Sequence, residues 1–175
     1  MQSFPGHSIE TYKALARTWA ATVTVVTVRR ASEHVAVGAA ELDGFTATAF
    51  LTVSMAPPII VVSATTAASA FTMLRDAAGF AVNLLSPDQA EIAGAFAKPA
   101  VERVGLWDRL AWTPDAAGAP LLGGTTGAFS ARVRQLVDAG DHTLVLGDVT
   151  ALHLGEGSDT LVYHNRGYGR VVRQG

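Results

Sequence analysis

Runs of β-branched and aromatic residues, separated by small and turn-forming ones, dominate the apolar pattern of the chain. The first apolar spacing is helical. Ile9, Tyr12, Leu15, Ala16 and Trp19 recur at three- and four-residue intervals behind Ser8, a capping side chain, with Glu10 in the first turn, which predicts a helix over Ser8–Ala21. Thr22–Val28 is dense in β-branched residues and predicts a strand. The connection Arg29–Asp43 is expected to turn near Ser32–His34 and to form a second strand near Val35–Ala40. Gly44–Ala70 holds two strand-like runs, Phe50–Ser54 and Ile59–Ser63, around the corner Pro57-Pro58. A short helix follows over Ala67–Ala77, then a strand over Phe80–Leu85. Ser86-Pro87-Asp88-Gln89 combines a cap, a proline at the first helical position and a Gln three residues after the cap, so a helix runs from there to about Ala97. Lys98–Asp115 is expected to be irregular or to form short helical turns. Ala128–Val137 and His142–Leu152 predict two long strands joined by a turn at 138–141, and Leu161–His164 a last strand before an Arg/Gly/Tyr-rich tail.

This order lacks the regular strand–helix alternation of a doubly wound sheet. It predicts a mainly β protein: a six-stranded type of antiparallel barrel with peripheral helices, in a single domain over residues 1–175. Composition narrows the class. Thirteen Lys and Arg against fifteen Asp and Glu leave a net charge of −2, which lacks the basic excess of a nucleic-acid binder. Charged residues are only 16% of the chain, against roughly 25% in ordinary domains, and 49% are hydrophobic, which excludes a disordered chain. The longest apolar stretch, Met55–Ala64, contains two prolines and is half of the roughly 20 residues that span a bilayer. The first residues lack a basic stretch followed by an apolar one, so a cytoplasmic protein without a membrane segment is expected. The thin charge also fits a surface partly buried in a homodimer. Cysteine is absent, which removes disulfides, thiolate nucleophiles and Cys-ligated metals.

The common catalytic signatures are missing: G-x-S-x-G, H-E-x-x-H, the P-loop and the EF-hand loop. Gly167-Tyr168-Gly169 lacks the third glycine of a dinucleotide fingerprint. Histidines 7, 34, 142, 153 and 164 never pair at helical spacing, so no helical metal site is expected. What stands out is a pair of small, hydroxyl-rich segments, Thr46-Ala47-Thr48-Ala49 beside Phe50 and Ser63-Ala64-Thr65-Thr66-Ala67-Ala68-Ser69. Small residues let a planar ligand approach the backbone, and hydroxyls with free N–H groups at a helix start suit a phosphate. The same residues also serve as turns and caps, with Ser69 a simple N-cap. Trp19, Trp107 and Trp112 are read as core or interface packing.

One family shows these features in order. Gly44-Phe45-Thr46-Ala47-Thr48-Ala49-Phe50, the run to Pro57-Pro58, Phe80-Ala81-Val82-Asn83, Phe96-Ala97-Lys98, Gly140-Asp141-His142-Thr143-Leu144 and Leu161-Val162-Tyr163 with its Gly/Tyr-rich tail resemble flavin reductases of the FMN-binding split-barrel type, the reductase components of two-component flavin monooxygenases. The resemblance covers the chain from about Thr18 and implies a Greek-key split barrel that reduces FMN or FAD with NADH or NADPH and supplies a partner monooxygenase. It implies that Thr46, Ala47, Thr48, Ala49 and Phe50 lie along the flavin, with Ser63, Ala64, Thr65, Thr66, Ser69 and Ala70 as a second contact segment. Lys98 and Arg103 match basic positions near the flavin phosphate. His142 matches a position at the nicotinamide, and Tyr163, Arg166 and Tyr168 lie in the tail that covers it. Thr48 stands where members often carry Asn. Other readings of the same segments are a flavin-storing or sensing module, or an enzyme like pyridoxamine-phosphate oxidase. The apolar strands lack the phosphate-facing Arg and Lys residues of the latter. Hydride exchange between nicotinamide and flavin needs no protein nucleophile, which accounts for the missing catalytic triad.

Overall fold

The structure, a computed structural model, describes residues 8–30 and 41–172. The expected turn and strand over 31–40 lie outside them. Ser8 caps α1 (Ile9–Ala16), its hydroxyl accepting the Thr11 N–H at 3.1 Å. The helix is shorter than its apolar spacing predicts and packs no residue into the core, and Trp19 beyond its end is 76% exposed and so not part of the core. The predicted strand over 22–28 divides into β1 (Ala21–Thr22) and β2 (Thr24–Arg29). Next come β3 (Leu42–Ala47), which the sequence pattern does not predict, β4 (Phe50–Met55) and β5 (Pro58–Thr65). The helix α2 (Ser69–Asp76) and β6 (Phe80–Leu84) follow as expected. The capping box at Ser86 is formed, with a 3-10 turn at Pro87–Gln89 running into α3 (Ala90–Phe96). Two more 3-10 turns, Ala100–Glu102 and Trp107–Arg109, precede the short strands β7 (Trp112–Pro114) and β8 (Pro120–Leu122). Then come β9 (Gly127–Ala139), β10 (His142–Leu154), β11 (Leu161–His164) and β12 (Gly167–Arg170).

Seven strands, not six, form the main sheet, in the order β3-β2-β6-β9-β10-β5-β4, with every pairing antiparallel. The sheet curls into a barrel left split between its edge strands β3 and β4, which are joined through residues 48–49. The Ser63 N–H donates to the Ala49 carbonyl at 3.0 Å across this corner. The strand β2 is buried on both faces, which explains its continuous apolar run. Val26 and Val28 join Ile60, Val62, Leu74, Phe80 and Val145 in one core cluster, while Val23 and Val25 join Leu85, Phe96, Leu122 and Leu161 in the other. Trp107 and Trp112 pack against the second cluster, edge to face with one another at 6.2 Å. No described helix is long and apolar enough to cross a membrane.

One buried amide ties the sheet to the β8 flap. Asn83 on β6 donates to the carbonyls of Val25 and Pro120 and to Thr27 Oγ1, and its own oxygen accepts the Leu122 N–H at 2.8 Å. Removing it orphans a buried N–H and several acceptors. Asn83→Ala is therefore expected to lower unfolding free energy by about 2–3 kcal/mol, read as a lower urea midpoint at unchanged slope.

Candidate functional site

The hydroxyl-rich segments meet because of strand register. Pairing of β5 with β10 sets Thr65 opposite His142, and pairing of β2 with β3 sets Thr46 opposite Val25. Two adjoining cavities result. One of about 530 Å³ lies between β3, the start of α2 and residues 96–103, with Thr46, Ser69, Ala70, Lys98 and Arg103 in its lining. The other, about 180 Å³, is lined by residues 45–49, Ser63, Thr65 and His142, and shares Phe45, Thr46 and Thr65 with the first. Beyond Thr48, Ala49 and Ser63 opens a larger apolar cavity of about 670 Å³ bordered by Phe50, Leu51, Phe129 and Leu144.

The wide end is organised by Asp43, which the sequence reading did not single out. Its side chain is 7% exposed. Oδ1 accepts the Gly44 N–H at 2.7 Å and lies 2.9 Å from Arg103 Nη2, while Oδ2 accepts the Ser69 hydroxyl at 2.6 Å. Arg103 Nη1 donates to the Gly44 carbonyl at 2.9 Å, the guanidinium lies over the Phe96 ring, and Nε is buried without a partner. Ser69 is thus not an N-cap. Ala68 holds the cap position of α2 without a side-chain bond. Among the described residues no acceptor takes the Ser69 or Ala70 N–H groups, and the Lys98 ammonium has no partner. Small Ala67 and Ala68 and the Gly44 backbone line the cavity around them. A Cβ on Gly44 would come 2.7 Å from the Val26 carbonyl, so close packing requires glycine there.

The other end carries His142. Its Nδ1–H donates to Asp141 Oδ1 at 2.7 Å, and Nε2 lies 3.2 Å from Thr65 Oγ1. The hydrogen bond from His142, then its charge, hold the Asp141 carboxyl below the usual value. A lowered carboxyl makes this pairing present above the ordinary carboxylate range and lost only as pH falls through the lowered value, so the ring stays oriented at neutral pH. The Thr66 hydroxyl and N–H both donate to the Asp141 carbonyl, fixing the same turn from the other strand.

Several expected contacts point elsewhere. Ala64 is core, 1% exposed, and neither it nor Thr66 lines either of these two cavities. Ala47 and Ala70 are also buried, although they border the small and the large cavity. The Thr46 hydroxyl is engaged by the Ala93 carbonyl at 2.6 Å. Tyr163 and Arg166 line a separate cavity that shares Thr48 with the small one. Tyr168 packs tilted against Tyr163 with ring centroids 5.3 Å apart, and burial, then Tyr163, raise its phenol above the usual range.

Comparison with known proteins gives this groove its family. Residues 16–171 match the model described as flavin reductase like domain. The chain belongs to that family. It is 35% identical over 168 residues to an NADH:FMN oxidoreductase of Rhodococcus erythropolis, covering 94% of this chain and 82% of the relative. It is 32% identical over 160 residues to the reductase component of 4-hydroxyphenylacetate 3-monooxygenase from Thermus thermophilus, covering 91% and 94%. Among solved structures, the NADH:FAD oxidoreductase SgcE6 of Streptomyces globisporus, in complex with NAD and FAD fragments, matches with a TM-score of 0.81 at 25% identity, over 97% of this chain and 98% of that one. The family's split barrel is the fold described above.

The Asp43 cluster makes a prediction within this family site. Removing one partner of a buried ion pair leaves the other charge unpaired. Asp43→Ala is expected to cost about 3–5 kcal/mol of stability and to weaken FMN binding. Asp43→Asn, which keeps an acceptor for Gly44, is expected to fall between it and the unmodified chain. Chemical denaturation and quenching of flavin fluorescence read the two effects.

Proposed function

We propose that the chain is an NAD(P)H:flavin oxidoreductase that reduces FMN or FAD and passes the reduced flavin to a partner monooxygenase. The observation that supports it most is the groove running from Lys98 past residues 46–49 to His142, in a chain of this family. The residues present fit a flavin. Lys98 and the N–H groups of Ser69 and Ala70 are uncommitted donors for a phosphate. Ala67 and Ala68 leave the backbone open to close approach, and the cavity volume lies within the usual range for ligand sites.

Bound together, flavin and nicotinamide supply the redox chemistry, a hydride passing from the reduced nicotinamide to the flavin ring. The chain's own work is positional. Residues 46–49 line the small cavity, where their backbone would meet the negative charge that develops on the flavin, a contribution that grows where water is excluded. Phe50 and Phe129, 5.4 Å apart, wall the adjoining space with apolar surface. Asp141 and Thr65 hold the His142 ring at the nicotinamide side, where it orients the carboxamide or meets a phosphate. Arg103, with Asp43, holds the segment that carries Lys98 rather than offering its own fork to phosphate.

The proposed assembly is a cytoplasmic homodimer formed by one domain. Ile9, Tyr12, Leu15 and Trp19, together with Leu51, Val53 and Met55 on the edge strand β4, are large exposed apolar residues that a second copy would cover. The partner monooxygenase is supported by the Thermus relative, a reductase component.

Anaerobic mixing with NADH or NADPH and each flavin tests the reading. The nicotinamide absorbance should fall in step with bleaching of the flavin; tight flavin binding without bleaching would identify a storage module instead. Lys98→Ala should weaken FMN binding with little change in nicotinamide KM. His142→Ala should raise the nicotinamide KM more than the flavin Kd.

A further inference from the structure

A cavity of about 580 Å³ lies between the β7–β8 flap and the adjoining ends of β9 and β10. It shares no lining residue with the groove cavities or with the cavity at Arg166. The proposed flavin and nicotinamide positions therefore leave it unused. Its volume is in the usual range for small-molecule sites. Part of its wall is apolar. Trp112 is half-buried, and its ring is fixed edge to face against Trp107 at 6.2 Å. Leu121 and Leu122 add aliphatic surface, and Leu154 stands at the cavity 97% exposed, a large apolar side chain with no cover.

The polar groups around it are unbalanced towards donors. Three bordering carbonyls are taken: Ala111 by the Gly123 N–H at 2.8 Å, Gly123 by Gln89 Nε2 at 2.8 Å, and Leu122 by the Thr125 hydroxyl at 3.1 Å. The N–H groups of Ala111, Gly124 and Thr125 have no acceptor among the described residues. Those of Gly124 and Thr125 follow one another at a turn where Gly124 has φ 72°, and successive amides at a turn form an anion-binding concavity. His153 adds a side chain. Its Nε2 lies 3.0 Å from the buried Ser130 hydroxyl, which has no other partner. With that hydroxyl donating, the ring proton sits on Nδ1, which no described residue accepts.

The lining contains no Asp or Glu to oppose an anion, and no Lys or Arg to attract a highly charged phosphate. Unspent neutral donors suit a carboxylate, and the Trp112 ring suits a flat aromatic group. We propose that this cavity binds a small aromatic carboxylate, its ring against Trp112 and its oxygens on His153 and the amides of Gly124 and Thr125. The site stands apart from the flavin groove and does not depend on the flavin reductase reading.

Benzoate titrated against the full chain and followed by tryptophan fluorescence tests it, with benzamide and acetate as the uncharged and the ring-free probes. Benzoate should saturate, and both other probes should bind at least about 10-fold more weakly. Ala111 is exposed at the cavity, so its side chain can be exchanged without entering the core. Ala111→Glu should abolish benzoate binding by charge repulsion, while Ala111→Gln, of the same size, should retain it. His153→Ala should weaken benzoate about 10-fold. FMN affinity should be unchanged in all three variants, and circular dichroism should show the same fold. Absence of saturation, equal binding of benzamide, equal loss in Ala111→Gln and Ala111→Glu, or displacement of benzoate by FMN or NADH would overturn the site.

Discussion

A buried carboxylate holds the site together. Asp43 receives donors from three separate parts of the chain: the Gly44 amide on its own strand, the Ser69 hydroxyl at the start of α2, and the Arg103 guanidinium beyond α3. Arg103 closes the loop onto the Gly44 carbonyl. Burying two charges is costly, and the cluster offsets this by giving both carboxylate oxygens hydrogen-bonded partners. Its consequence is positional. The strand carrying Thr46, the N–H groups of Ser69 and Ala70 and the segment carrying Lys98 are fixed around one cavity.

The same cluster separates charge that builds the site from charge that is free to meet a ligand. Arg103 and Ser69 are committed inward, and Lys98 is not. At the other end, Asp141 holds Nδ1 of the His142 ring and Thr65 stands beside Nε2. A hydride exchange between two bound cofactors asks for this kind of protein, with fixed orientation and few reactive side chains.

Much of the fold was legible because its signals are local. The β-branched run of β2, the capping box at Ser86 and the long hairpin of β9 and β10 follow from neighbouring residues alone. The strand β3 was missed because Leu42–Ala47 carries an acid and a glycine, and β7, β8 and β12 because they are short and rich in proline or glycine. The groove's residues were legible through the family resemblance, but not their individual orientations. Alternation along β5 could have turned Ala64 inward between Ser63 and Thr65, as its burial shows. The partners of Asp43 could not have been read this way, since Ser69 and Arg103 lie 26 and 60 positions away and meet only in the folded chain.

The central proposal is that flavin and nicotinamide occupy one groove in a fixed order. A crystal structure of the chain with FMN and NAD+ tests it most directly. The flavin phosphate is expected at Lys98 and the start of α2, with the nicotinamide beside His142. Flavin bound with its phosphate at His142, or in the separate cavity lined by Trp112 and His153, would contradict it.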